Sequence, residues 1–149
     1  MPLRYKNGQE FHGDFLFKEY WYDDLKAPVW SETPYKNGKV NGDILQYFHG
    51  FDYKICFMAS YKENILHGFR KEYFANGTLA SCKYFVNGVQ QSMDLSFFAT
   101  GKLSVSSSVV NNMLHGLTRI FDEVGYLCHE EMWRNGDKAK KKCPLENFV

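Results

Sequence analysis

The stretch Ile65-Leu66-His67-Gly68-Phe69-Arg70-Lys71-Glu72-Tyr73-Phe74-Ala75-Asn76-Gly77-Thr78-Leu79-Ala80-Ser81-Cys82-Lys83-Tyr84-Phe85-Val86-Asn87-Gly88 holds one complete unit of a pattern that runs down the chain. Two runs rich in aromatic residues, 69–74 and 78–85, are each followed by Asn-Gly after one further residue. Asn-Gly between strand-like runs is a strong hairpin signal, because a type I′ turn needs positive φ at both central residues and these two tolerate it. The unit therefore reads as two strands and two turns.

Outward from this unit the same marks recur in phase. Tyr35-Lys36-Asn37-Gly38, Tyr61-Lys62-Glu63-Asn64, Phe85-Val86-Asn87-Gly88, Val109-Val110-Asn111-Asn112 and Trp133-Arg134-Asn135-Gly136 end 26, 24, 24 and 24 residues apart. Gly42, Gly68, Ser92 and Gly116 each follow four residues later, and Gly50, Gly77, Gly101 and Gly125 form a third series. Three series in phase identify a repeat protein. No segment shows a long helical stripe, so the fold is expected to be all-β: an elongated antiparallel meander of stacked hairpins, about 24 residues each, in a single twisted sheet. Leu79, Leu103 and Leu127 are expected to form one ladder across it, and Tyr61, Phe85, Val109 and Trp133 another, packed as core.

The 149 residues amount to a single domain, 1–149, with an irregular first repeat over 5–34, regular repeats over 35–137 and a basic tail over 138–149. Formal net charge is +1, from 18 basic and 17 acidic residues, which argues against nucleic acid and against anionic lipid as partners. The segment 1–13 carries Arg4, Lys6 and Glu10 and has no apolar stretch of signal-peptide length, and no later run reaches membrane-span length. A soluble, unexported, cytoplasmic protein is the expectation. Cys56, Cys82, Cys128 and Cys143 make no Cys-x-x-Cys pair, which favours free thiols.

Catalytic and metal chemistry find little support. His67 and His115 precede glycines two units apart, so about 20 Å separates them in a sheet with strands about 4.8 Å apart, and they cannot share an ion. Satisfied structural histidines are expected instead. Adjacent acidic residues such as Asp23-Asp24, Asp122-Glu123 and Glu130-Glu131 point to opposite faces of a strand, which disfavours acid/base dyads. No catalytic residue, no cofactor and no metal is expected, and the chain reads as a binding protein rather than an enzyme.

The runs Tyr35-Lys36-Asn37-Gly38-Lys39-Val40-Asn41-Gly42, Ile65-Leu66-His67-Gly68 and Tyr73-Phe74-Ala75-Asn76-Gly77-Thr78-Leu79 resemble the variant form of the membrane occupation and recognition nexus (MORN) repeat of bacterial antitoxin-like proteins, over roughly 5–137. Ser92 departs from the pattern where other copies carry glycine. The resemblance implies an immunity protein or antitoxin that neutralises a cognate protein toxin by stoichiometric binding. The wider repeat family suggests an alternative, a scaffold or membrane-associated interaction module.

The repeat breaks at its first unit. Glu19-Tyr20-Trp21-Tyr22-Asp23-Asp24 replaces the third glycine mark, and Lys26-Ala27-Pro28-Val29-Trp30 follows as a longer connection containing proline. One reading is a terminal cap over an unpaired edge. The other is a binding surface with Trp21, Tyr22 and Trp30 as anchors and Asp23 and Asp24 supplying charge. A second break is the extra length around Phe51-Asp52-Tyr53. Exposed sheet edges are either capped within the monomer or paired in a homodimer.

Overall fold

Positive φ at paired turn residues dictates the architecture. In the computed structural model, which describes residues 13–21, 28–50 and 53–139, both central residues have φ between 49° and 79° in the turns at Asn37-Gly38, Glu63-Asn64, Asn87-Gly88 and Asn111-Asn112, and φ is 53° and 87° at Asn135-Gly136. These are the type I′ turns that the tetrapeptide marks predict, and their twist matches that of the strands they join.

The strands among the described residues are β1 (Phe15–Tyr20), β2 (Val29–Lys36), β3 (Lys39–Val40), β4 (Gly42–Tyr47), β5 (Ile55–Lys62), β6 (Ile65–Tyr73), β7 (Leu79–Val86), β8 (Val89–Phe97), β9 (Leu103–Val110), β10 (Met113–Phe121), β11 (Leu127–Arg134) and β12 (Asp137–Lys138). They form one open antiparallel sheet in chain order, with β3 paired to the end of β2 beside β4. Lys138, read from sequence as the start of the tail, instead belongs to β12 opposite Trp133.

The glycine turns at the other margin differ from the sequence expectation. At Asn76-Gly77 only Gly77 has positive φ, +88°. Gly77 N–H donates to Phe74 O at 2.8 Å and Phe74 N–H to Thr78 O at 2.9 Å, which is a three-residue loop closed by a left-handed glycine, not a type I′ turn. Asn76 adds side-chain bonds to this loop. Its side-chain Oδ1 accepts from the Thr78 N–H at 3.0 Å and its Nδ2 donates to Ala99 O in the next unit at 2.8 Å, so the asparagine ties two turns together. Gly101 and Gly125 close equivalent loops, and Asp122 Oδ1 accepts from the N–H groups of Val124, Gly125 and Tyr126.

The second glycine series marks a feature that spacing alone does not announce. Between Tyr61↔Leu66 and Ala59↔Arg70, β6 advances four residues while β5 advances two. The same two-residue excess occurs between Leu114↔Val109 and Thr118↔Ser107, and between Tyr84↔Gln91 and Lys83↔Asp94. Gly68 sits at this bulge with φ +119°, where an added Cβ lies only 2.8 Å from Ser60 Cβ. Ser92 keeps its place opposite Val109 by adopting φ +71°, so the copy without glycine retains both bulge and register.

With one layer only, full burial is scarce. Among the described residues the buried apolar side chains are Val29, Ala59 and Val109, and Ser31 and Ser107 are buried beside them. The ladder residues Tyr61, Phe85 and Trp133 are half-buried, so the sequence expectation of an aromatic core holds only in part. Small side chains sink between taller neighbours on a face where Arg70 stands 5.4 Å over the Phe57 ring and Lys83 pairs with Asp94 at 3.0 Å. Each unit rests on its neighbours, and stability accumulates from interfaces between units rather than from one central core.

Candidate partner-binding surface at the irregular first unit

Trp21 follows β1 directly, and its N–H donates to Pro28 O at 3.1 Å, which draws the two ends of the first connection together. Pro28 then stands just before β2, at a strand start where its missing N–H costs no ladder bond. Trp30, read from sequence as part of a loop, is a strand residue of β2 and so is held by the sheet. The Trp21 and Trp30 rings lie 6.1 Å apart at 52°, and the His49 ring meets Trp21 edge-on at 4.8 Å.

Both tryptophans are half-buried rather than fully exposed. The Trp21 indole Nε1 is shielded from water and has no acceptor among the described residues. Tyr22, Asp23 and Asp24, the other three residues singled out, lie outside the described residues. Among the described residues, the structure brings Trp21 and Trp30 together.

A polar network adjoins them on β1, β2 and β4. Glu32, two residues from Trp30 and hence on the same face of β2, accepts from Lys18 Nζ at 2.8 Å and from Tyr47 Oη at 3.0 Å. The Lys18 hydrogen bond holds the Glu32 carboxyl below the usual range, and the same bond raises Lys18. Burial, reinforced by Glu32, pushes the Tyr47 phenol up to about 12.

Tyr53 extends the surface. Its ring meets Tyr47 edge-on at 6.0 Å, it is 66% exposed, and its φ of +49° is uncommon for an aromatic residue. It sits in the long loop closed by the Phe48 N–H to Lys54 O bond of 2.9 Å; Phe51 and Asp52 of that loop lie outside the described residues. The sequence flagged this extra length but not its proximity to the first unit. Lys18, Glu32 and Tyr47 carried no sequence signal, since each occupies an ordinary strand position.

The histidines of the repeats have another role. His67 Nδ1 lies 3.1 Å from Asn87 Oδ1, and His115 Nδ1 lies 2.9 Å from Asn135 Oδ1. They are satisfied by the turn of the following unit, as expected of structural histidines. Cys56, Cys82 and Cys128 are free, and burial pushes the Cys56 and Cys82 thiols up. No group of three metal-ligating side chains occurs among the described residues. No family model, no curated protein and no solved structure matches the chain.

Proposed function

We propose that the chain is a protein-binding module whose partner docks on the surface around Trp21 and Trp30, and that it acts as an immunity protein or antitoxin neutralising a cognate protein toxin by stoichiometric binding. The Trp21 pair carries the reading: two half-buried tryptophans 6.1 Å apart offer aromatic area with little rotamer freedom to lose. Tyr53 adds an exposed aromatic edge, and Lys18 and Glu32 a polar rim. The toxin assignment rests on the resemblance of the repeats, and the location of the surface rests on the break in their pattern.

An affinity pull-down from the native host, with the partner identified by mass spectrometry at moderate salt, tests it. One stoichiometric partner with a toxin-like domain is expected, with affinity falling at least tenfold for Trp30→Ala and for Tyr53→Ser in protein that retains its far-ultraviolet circular dichroism. Unchanged affinity after alanine replacement of Trp21, Tyr22, Asp23, Asp24 and Trp30 together overturns the location. Recovery of lipid, or of several unrelated proteins, favours the scaffold reading instead.

A further inference from the structure

Phe69, Met93 and Leu117 occupy the same place in three successive units, each one residue after the bulge position. They lie on β6, β8 and β10 and face the same side of the sheet, since each stands two residues before Lys71, Leu95 or Arg119, which the ladder Lys71↔Cys82↔Leu95↔Ser106↔Arg119 places on one face. Phe69 is 46% exposed and Met93 50%, while Leu117 is half-buried beside its ladder partner Met132, which is 47% exposed, so an apolar row crosses the strands. Alternate strands are about 9.6 Å apart, twice the usual strand spacing. Seven residues of an α-helix rise about 10.5 Å. A helix laid across the strands therefore meets the row with apolar residues seven apart, drifting by less than about 2 Å over the two intervals.

Charge specifies the occupant further. Lys71 stands two residues beyond Phe69 on the same face, its Nζ 5.0 Å from the Phe69 ring centroid. Most other ionised groups on that face are paired, Lys18 with Glu32 and Arg119 with Glu130. Lys71 has no carboxylate within ion-pair distance among the described residues. We infer that this face binds an amphipathic α-helix of a partner protein, with apolar residues at heptad spacing against Phe69, Met93 and Leu117 and a carboxylate beside Lys71. The surface is separate from the Trp21–Trp30 cluster, and the inference rests on the reading above only in taking the chain to bind proteins.

The probe is a synthetic 21-residue amphipathic helix with leucine at heptad spacing and glutamate flanking it, labelled for fluorescence anisotropy. Its comparators are the same peptide with lysine for glutamate, a scrambled peptide, and a polyproline peptide with leucine every third residue. Binding of the acidic helix is expected, weakened at least tenfold by Met93→Ser, and Lys71→Glu is expected to reverse the preference toward the basic helix. Arg70→Gln, on the opposite face, and Trp30→Ala are expected to leave the affinity unchanged. Equal binding of the scrambled peptide, stronger binding of the polyproline peptide, or indifference to Met93→Ser overturns the inference. So does sedimentation of the wild type as a dimer that Met93→Ser dissociates, since the face then belongs to a second copy. Loss with Trp30→Ala alone sinks this inference and leaves the earlier reading standing.

Discussion

His67 and Asn87 stand 20 residues apart and share a hydrogen bond at 3.1 Å, joining the bulge of one unit to the turn of the next. The bond recurs in kind along one margin: Asn41 donates to Glu63, Gln91 to Asn111, and His115 meets Asn135. Backbone bonds accompany it, with the second turn residue donating to the preceding unit in Asn64 to Val40, Gly88 to Leu66, Asn112 to Gln90 and Gly136 to Leu114. Because Gln91 performs the histidine's task, His67→Gln is expected to preserve stability. His67→Ala is expected to cost about 0.5–1 kcal/mol, the net worth of one ordinary hydrogen bond. Urea denaturation of both variants checks this, and equal losses for the two remove the side-chain bond from the account.

Gly68 faces Ser60 more tightly than the turn glycines Gly77, Gly88, Gly101, Gly125 and Gly136 face their surroundings. Gly68→Ala adds a Cβ 2.8 Å from Ser60 Cβ at φ +119°, whereas a Cβ at Gly101 meets nothing within 4 Å at φ +85°. The expected cost is about 1–2 kcal/mol for Gly101→Ala, the conformational penalty alone, and clearly more for Gly68→Ala. Adding Ser60→Gly is expected to return part of the loss in the second case and none in the first. A double-mutant cycle measured by thermal unfolding reads the coupling, and additivity contradicts the close approach.

Ser92 holds a left-handed conformation in the copy where glycine is missing. Replacing it by glycine removes a penalty of about 1–2 kcal/mol and adds the greater chain entropy of glycine, about 0.5–1 kcal/mol. Ser92→Gly is therefore expected to stabilise the protein by up to about 1.5 kcal/mol, with Gly116→Ser changing stability in the opposite direction. A lower melting temperature for Ser92→Gly contradicts the strain.

Glu32 and Tyr47 give the first unit two opposite pH limits. Glu32 has a lowered folded-state pKa, so its stabilisation is complete above the ordinary carboxylate range and disappears as pH falls through the folded value. Tyr47 is raised from 10 to about 12, so the stability it lends is complete below about 10 and is lost between 10 and 12. Tyr47→Phe is expected to flatten the alkaline limb, and Glu32→Gln the acid one. Denaturation midpoints measured across pH test both, alongside a phenol titration in which one tyrosine, missing from Tyr47→Phe, ionises last.

Much of this fold is legible in the sequence because a type I′ turn imposes a backbone that Asn and Gly alone accept cheaply. Even Glu63, a poor candidate for φ +53°, is tolerated where Lys39 and Asn41 bind its carboxylate at 2.7 and 3.2 Å. Asn76-Gly77 carries the same dipeptide as the type I′ turns, and the closure from Phe74 to Thr78 with positive φ at Gly77 alone distinguishes it. Pro28 beside Trp30 suggests a loop, although a proline at a strand start ends nothing. The link from Glu32 to Lys18 and Tyr47 joins residues 14 and 15 positions away, and no periodicity reports a contact across strands of irregular register.

The 24-residue step also works as a graduated scale. Each unit adds two strands, about 10 Å of sheet, and touches only the units before and after it. The Trp21–Trp30 cluster and the Phe69–Met93–Leu117 row are therefore separated by a distance that the number of intervening units sets in whole steps. Insertion or loss of one unit between them re-spaces the two surfaces while leaving the chemistry of each intact, so the reach of this molecule is adjustable by counting rather than by redesign.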